Sequence, residues 1–257
     1  MYETLLYECA DEIATVRFNR PNKLNAINPE MIGDLHKLVT DIRADKSARV
    51  VILTGNGRAF CAGADIAALA KVGSPPDFMT FIENVQTAFN AIEDLDRPTI
   101  AAINGLAYGG GCEISLCCDF RIMAEDATIG VPEILIGLLP GAGGTQRLPR
   151  MLPPAIVMIY LGEPVSAQQA LQHGLVNALA PAGQALEVAT EWARRLLKRP
   201  PMGLKCAKLL VDIAQNGSLK TGIESERQAM ALLYATEDRK EGLSAFLERR
   251  EAKFTGR

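Results

Sequence analysis

Ile103-Asn104-Gly105-Leu106-Ala107-Tyr108-Gly109-Gly110-Gly111-Cys112-Glu113 leads from a strand predicted over Thr99–Asn104, through three consecutive glycines, into an apolar helix predicted from about Gly110 to Cys118. One reading of the glycines is a tight turn between strand and helix. The other is a binding site, because the N–H groups of a helix's first turn have no intrahelical acceptor and missing side chains let a ligand come close. The segment is neither a dinucleotide fingerprint nor a P-loop, since the later glycines and the Gly-Lys-Ser/Thr are missing. Glu113 falls in the first helical turn, where a carboxylate is favourable on structural grounds alone, yet its neighbours are apolar.

A second glutamate, Glu133, stands in Gly130-Val131-Pro132-Glu133-Ile134, shortly before Pro140-Gly141-Ala142-Gly143-Gly144. Two carboxyl groups beside bare backbone N–H donors can move protons next to a carbonyl and hold the charge that develops on its oxygen. This combination marks the chain as an enzyme. A further glycine segment, Gly57-Arg58-Ala59-Phe60-Cys61-Ala62-Gly63-Ala64-Asp65-Ile66, follows the buried strand predicted over Arg49–Thr54, at a strand end where open α/β sheets place ligands. An equal reading makes Asp65 the cap of the next helix and Gly63 a turn.

Outward from these segments, alternation predicts a hairpin of Thr4–Cys9 and Ile13–Phe18 with a turn at Ala10-Asp11-Glu12. Asn28-Pro29 opens a helix carrying Met31, Leu35, Leu38, Val39 and Ile42 at helical spacing. A second helix is expected over about Asp77–Asp94, with Phe78, Phe81, Ile82, Val85, Phe89 and Ile92 on one face. Strands are expected at Phe120–Ala124 and Thr128–Ile129. Beyond about residue 145 helical patterns dominate, over 151–161, 166–172, 184–198, 201–216, 218–235 and 237–252, with one strand near Leu175–Asn177. The fold class is α/β, and Arg199-Pro200-Pro201 divides a core of residues 1–198 from a helical region of residues 199–257.

Composition narrows the function. At 257 residues, 48% hydrophobic and 22% charged, the chain can bury a sizeable core and is too apolar for disorder. A net charge of −3 argues against a protein dominated by nucleic-acid binding. His36 and His173 fall on predicted helices without Gly-x-Ser-x-Gly, against a Ser-His-Asp hydrolase, and no cluster has metal-ligand spacing. Cys9, Cys61, Cys112, Cys117, Cys118 and Cys206 contain no C-x-x-C pair and read as reduced, mostly buried thiols. The basic run Arg249-Arg250…Lys253 reads first as a solvated helix face. The first residues carry no secretory pattern, and no apolar run reaches the roughly 18–20 residues that span a bilayer, so the expected location is cytoplasmic.

Several of these stretches together resemble the enoyl-CoA hydratase/isomerase (crotonase) family. They are the opening segment with Cys118-Asp119, Pro132-Glu133-Ile134 with Gly137, Pro140-Gly141-Ala142-Gly143-Gly144-Thr145-Gln146-Arg147-Leu148, Asn19-Arg20-Pro21 with Leu24-Asn25-Ala26, and Ala59–Ile66. Ala167-Gln168, Gly174-Leu175-Val176, Glu241-Gly242 and Ala245-Phe246 extend the resemblance along the chain.

The resemblance implies a spiral of ββα turns with a helical C-terminal region that builds homotrimers or hexamers. It implies a coenzyme A thioester as substrate and no separate cofactor. The N–H groups of Ala64 and Gly110 become an oxyanion hole, Glu113 and Glu133 the acid/base pair, and the Gly141 N–H a holder of water. Lys23, Leu24, Ala26, Ala62, Asp65 and Ile66 become coenzyme A contacts, and Leu69–Phe78 borders the acyl pocket. A glutamate at both positions is the hydratase pattern, and isomerases of the family generally lack one. The expected activity is therefore addition of water to a 2-enoyl-CoA. Isomerisation, ring opening of an acyl-CoA, or acyl-CoA binding without turnover are the alternatives. Ala67 stands where hydratases often carry Lys, and Val131 where Gln is frequent, so the acyl group stays open.

Overall fold

The computed structural model describes residues 1–152 and 155–257. Its first strands, β1 (Leu5–Ala10) and β2 (Ile13–Phe18), form the expected hairpin. Asp11 and Glu12 both take positive φ, 51° and 64°, the requirement of a two-residue turn that matches strand twist. Helix α1 (Pro29–Ala44) then starts at Asn28, whose side chain accepts the Met31 N–H at 3.1 Å. Its buried stripe is the expected one, joined by Ile32.

From here the chain winds in three turns. The first runs β3 (Val50–Gly55), β4 (Ala59–Cys61), the short α2 (Ile66–Leu69) and the long α3 (Pro75–Glu93). The second runs β5 (Thr99–Ile103), β6 (Leu106–Tyr108) and α4 (Gly110–Leu116). The third runs β7 (Phe120–Ala124), β8 (Thr128–Gly130) and a 3-10 turn over Pro132–Ile136. β9 (Val165–Ser166) and β10 (Ala178–Ala180) come later and take outer positions.

The first strand of each turn joins one sheet, ordered β1-β2-β3-β5-β7-β10, and the second joins another, ordered β4-β6-β8-β9. Pairing is parallel from β2 to β10 and from β4 to β8, with β9 antiparallel to β8. β3 and β5 are buried throughout, as parallel strands covered on both faces must be. Phe18 of β2 meets Phe60 of β4 edge-on at 5.3 Å and joins the two sheets.

Helices α5 (Gly144–Met151), α6 (Ala155–Leu161), α7 (Ala167–Gln172) and α8 (Ala185–Leu197) follow. α8 packs on β3, β5 and β7, with Trp192 edge-on to Phe120 at 5.7 Å. The helix expected over 151–161 is thus represented by the end of α5 and by α6, while residues 153 and 154 lie outside the described residues. The strand expected near Leu175–Asn177 forms instead at Ala178. The buried Arg121 guanidinium holds the Leu175 carbonyl at 2.8 Å, and Asn177 Oδ1 accepts the Arg121 N–H at 2.8 Å, so regular pairing begins only beyond them.

The C-terminal helices α9 (Pro201–Asn216), α10 (Leu219–Tyr234) and α11 (Glu237–Glu248) match expectation closely. Lys208 ties α9 to the core through Asp119 Oδ2 at 3.0 Å. The basic run is less free than expected: Arg250 grips Glu241 with two nitrogens at 2.6 and 2.9 Å. Among the described residues all six cysteines are free thiols, five of them buried, and no helix is long and apolar enough to cross a membrane.

Candidate active site

The site grows from the contact between α4 and the strand beneath it. A Cβ on Gly111 would lie 2.0 Å from the Cys61 carbonyl oxygen, so only glycine lets α4 rest on β4. That approach brings the start of α4 beside the exit of β4, and the Ala64 nitrogen lies 4.0 Å from the point a Gly110 Cβ would occupy.

Both neighbouring N–H groups are free, for different reasons. Gly110 is the first residue of α4 and has no acceptor within the helix. Ile27 brackets Ala64, donating to the Gly63 carbonyl at 2.7 Å and accepting the Asp65 N–H at 2.8 Å, which turns the Ala64 N–H away from Ile27. Among the described residues neither N–H has an acceptor. The two donors named from the sequence are therefore brought together.

The segments expected to hold coenzyme A also lie side by side. Ala62 donates to the Leu24 carbonyl at 3.0 Å, continuing the Ile27–Gly63 pairing. Lys23 ends a 3-10 turn with its side chain exposed, Leu24 and Ala26 are half-buried, and Ile66 is exposed. Asp65 is engaged within the chain: its carboxylate caps α2 and pairs with Arg20 at 3.0 Å. The structural reading of Asp65 as a cap is thus met, and that cap steadies the loop presenting Ala64.

Beneath these segments is a residue that sequence reasoning gave no role. Asn25 is fully buried at φ 57°, accepts the Arg20 N–H at 2.9 Å, and donates to the Asn56 and Ala59 carbonyls at 3.0 and 2.8 Å.

The two glutamates differ in setting. Glu113 is 2% exposed, and its Oε1 accepts the Ala142 N–H at 2.7 Å and the Gly144 N–H at 2.8 Å. Burial pushes its carboxyl up to about 7; the Gly144 and Ala142 N–H groups oppose this, and the Glu133 charge adds to it. Glu133 is half-buried in the 3-10 turn, with Oε1 2.9 Å from where a Gly109 side chain would begin. Its Oε2 is buried with no hydrogen-bond partner among the described residues, and burial raises its carboxyl as well. One carboxyl is thus supplied with donors that favour the anion, and the other is left with an unpaired oxygen, which favours the neutral acid.

Known proteins match nearly the whole chain. A model of the enoyl-CoA hydratase/isomerase family matches residues 8–257. The chain belongs to the enoyl-CoA hydratase/isomerase family. Similar proteins include a crotonyl-CoA hydratase of Syntrophomonas wolfei, 36% identical and matched over 98% of both chains. Another is the 2,3-dehydroadipyl-CoA hydratase of Escherichia coli, 38% identical over 98% of this chain and 99% of its own. The crystal structure of an enoyl-CoA hydratase from Bacillus anthracis superposes with a TM-score of 0.95 at 37% identity, covering 99% of this chain and 100% of that one. The ββα spiral and the helical C-terminal region are those of the family's fold.

Proposed function

We propose that this member of the enoyl-CoA hydratase/isomerase family is a 2-enoyl-CoA hydratase, adding water across the 2,3 double bond to give a 3-hydroxyacyl-CoA. The observation that carries the reading is the pair of carboxyls, buried Glu113 supplied with two N–H donors and half-buried Glu133 with an unpaired oxygen. Names of similar proteins, among them a short-chain-enoyl-CoA hydratase of Clostridium acetobutylicum, support it.

In the proposed reaction the Ala64 and Gly110 N–H groups bind the thioester oxygen and draw electron density from the β-carbon. Glu113 and the Gly141 N–H hold one water. Glu113 takes a proton from that water as its oxygen bonds to the β-carbon, and charge moves onto the thioester oxygen as an enolate. Glu133, whose carboxyl burial raises, gives a proton to the α-carbon as the enolate collapses. A proton passing from Glu113 to Glu133 resets the pair. Lys23, Leu24, Ala26, Ala62, Asp65 and Ile66 form the coenzyme A rim, and coenzyme A enters only as part of the substrate.

Crotonyl-CoA in ¹⁸O-labelled water tests the reading. The expected product is 3-hydroxybutyryl-CoA with the label in its hydroxyl group. A product of unchanged mass, with the double bond moved in a longer enoyl-CoA, would assign isomerisation instead.

The same reading makes residues 199–257 a trimerisation region. Every residue of α10 stays at least partly exposed, and Leu219, Ile223, Met230, Phe246 and Leu247 present apolar surface. Sedimentation is expected to give a trimer or hexamer, and a monomer would reject this assignment.

A further inference from the structure

The turn that holds Glu113 is itself held by one face of α3. Gln86, Asn90 and Glu93 recur at helical spacing and so share that face. Gln86 Nε2 donates to the Gly141 carbonyl at 2.7 Å. That carbonyl and the Ala142 N–H belong to one peptide unit, and the N–H goes to Glu113 Oε1. A bond at one end of a peptide polarises the other end, so Gln86 strengthens the donor on Glu113.

Arg147 holds the next carbonyl. Its Nη1 donates to Ala142 O at 3.1 Å, Nη2 to Asn90 Oδ1 at 2.8 Å, and Nε to Glu93 Oε1 and Oε2 at 3.0 and 3.2 Å. Gly143 makes room for it: φ is 110°, and a Cβ there would lie 2.0 Å from Arg147 Nη1. The guanidinium is therefore built into the turn and anchored at its far side to α3.

We infer that Arg147, anchored by Glu93, and Gln86 are positioning residues for Glu113, fixing the 141–144 turn so that its N–H groups meet Oε1 and the Gly141 N–H meets water. The inference deepens the hydratase reading and rests on it for the role of Glu113. The charged or titratable groups around Glu113 are Glu133 from the 3-10 turn, Arg147 from α5, its partner Glu93 from α3, and the thiols of Cys112 in α4 and Cys117 at its C-terminal cap, which burial keeps protonated. Of these only Arg147 is positive.

The test is Arg147→Met, with Arg147→Lys and Gln86→Leu beside it. Two readouts are followed: the ¹³C titration of the Glu113 carboxyl, assigned by its loss in Glu113→Gln, and kcat and KM on crotonyl-CoA across pH. Arg147→Met is expected to lower kcat at pH 7 by about 10²-fold, the scale of a misplaced catalytic group, while KM changes little. Its Glu113 midpoint moves upward, so the deficit in kcat shrinks as pH rises, and Arg147→Lys recovers part of both.

An unmoved Glu113 midpoint in folded Arg147→Met, or a loss in kcat equal at every pH, would overturn the inference. Should Arg147→Met fail to fold, Gln86→Leu decides on the same two readouts, with a loss of about tenfold expected from one weakened donor and unchanged values overturning the inference. Wild-type protein that titrates as expected but hydrates no enoyl-CoA would reject the hydratase reading and leave the NMR result to judge the positioning.

Discussion

Ala142 donates its backbone N–H to Glu113 Oε1 at 2.7 Å across 29 residues of chain. Glu133 lies on the stretch between them, so the segment from Glu133 to Gly144 carries one carboxyl and grips the other. The two carboxyls are thereby set against each other by a single short stretch of backbone. That stretch gives donors to Glu113, while Glu133 Oε2 has no partner among the described residues, the asymmetry from which the proposed reaction assigns base and acid.

Glu113→Gln is expected to abolish most activity and to stabilise the fold at alkaline pH. In the folded protein the carboxyl is raised from 4.5 to about 7. Between those values the folded protein holds a proton that the unfolded chain has released, so stability falls as pH rises through the window. Gln carries no such proton, and its oxygen can still accept the Ala142 and Gly144 N–H groups. Urea unfolding should show a gain of up to about 3 kcal/mol at pH 8 that fades toward pH 5. Equal stability of the two proteins at both pH values would show that burial does not raise this carboxyl. In the wild type, kcat should fall as pH drops below about 7, where the base is protonated.

Replacing the Gly110 or Ala64 amide by an ester, which exchanges N–H for oxygen, should lower kcat by about 10²–10³-fold, the usual cost of one oxyanion donor. The two effects should not add, since both donors act on one oxygen. Normal kcat in both esters would remove these N–H groups from the chemistry.

Asn25→Ala should destabilise the protein by about 3 kcal/mol, because it leaves buried partners unsatisfied and puts Ala at a left-handed backbone position. The Arg20 N–H and the Ala59 carbonyl lose their bonds, and the loop carrying Leu24 and Ala26 loosens. Urea unfolding gives the stability, and KM for crotonyl-CoA should rise more than kcat falls. An unchanged unfolding midpoint would contradict this.

Local signals in the sequence account for what was legible. Asn28-Pro29 marked α1 to the residue because cap and first turn are adjacent in the chain. The glycines around Glu113 pointed to free N–H groups for the same reason. β4, β6 and β9 were not legible, since strands of two or three residues show no alternation. α5 was hidden by its glycine start and by Pro149. The supports of the site were hidden by distance: Arg147 reaches Glu93 across 54 residues, and Asn25 reaches Ala59 across 34. On α3 the spacing of Gln86, Asn90 and Glu93 carries no signal of its own, because a polar stripe on a helix is most often a solvated face. Gln86 and Asn90 are indeed exposed, and only the loop folded against them gives their side chains partners.

The most direct test of the central claim follows the conjugated-thioester absorbance of crotonyl-CoA and longer 2-enoyl-CoAs with wild-type protein and Glu133→Gln. Rapid loss of absorbance in the wild type, reduced by about 10²–10⁴-fold in the variant with the fold intact, is the predicted result. Full activity in Glu133→Gln, or no turnover of any 2-enoyl-CoA by the wild type, would contradict hydration by this pair of glutamates.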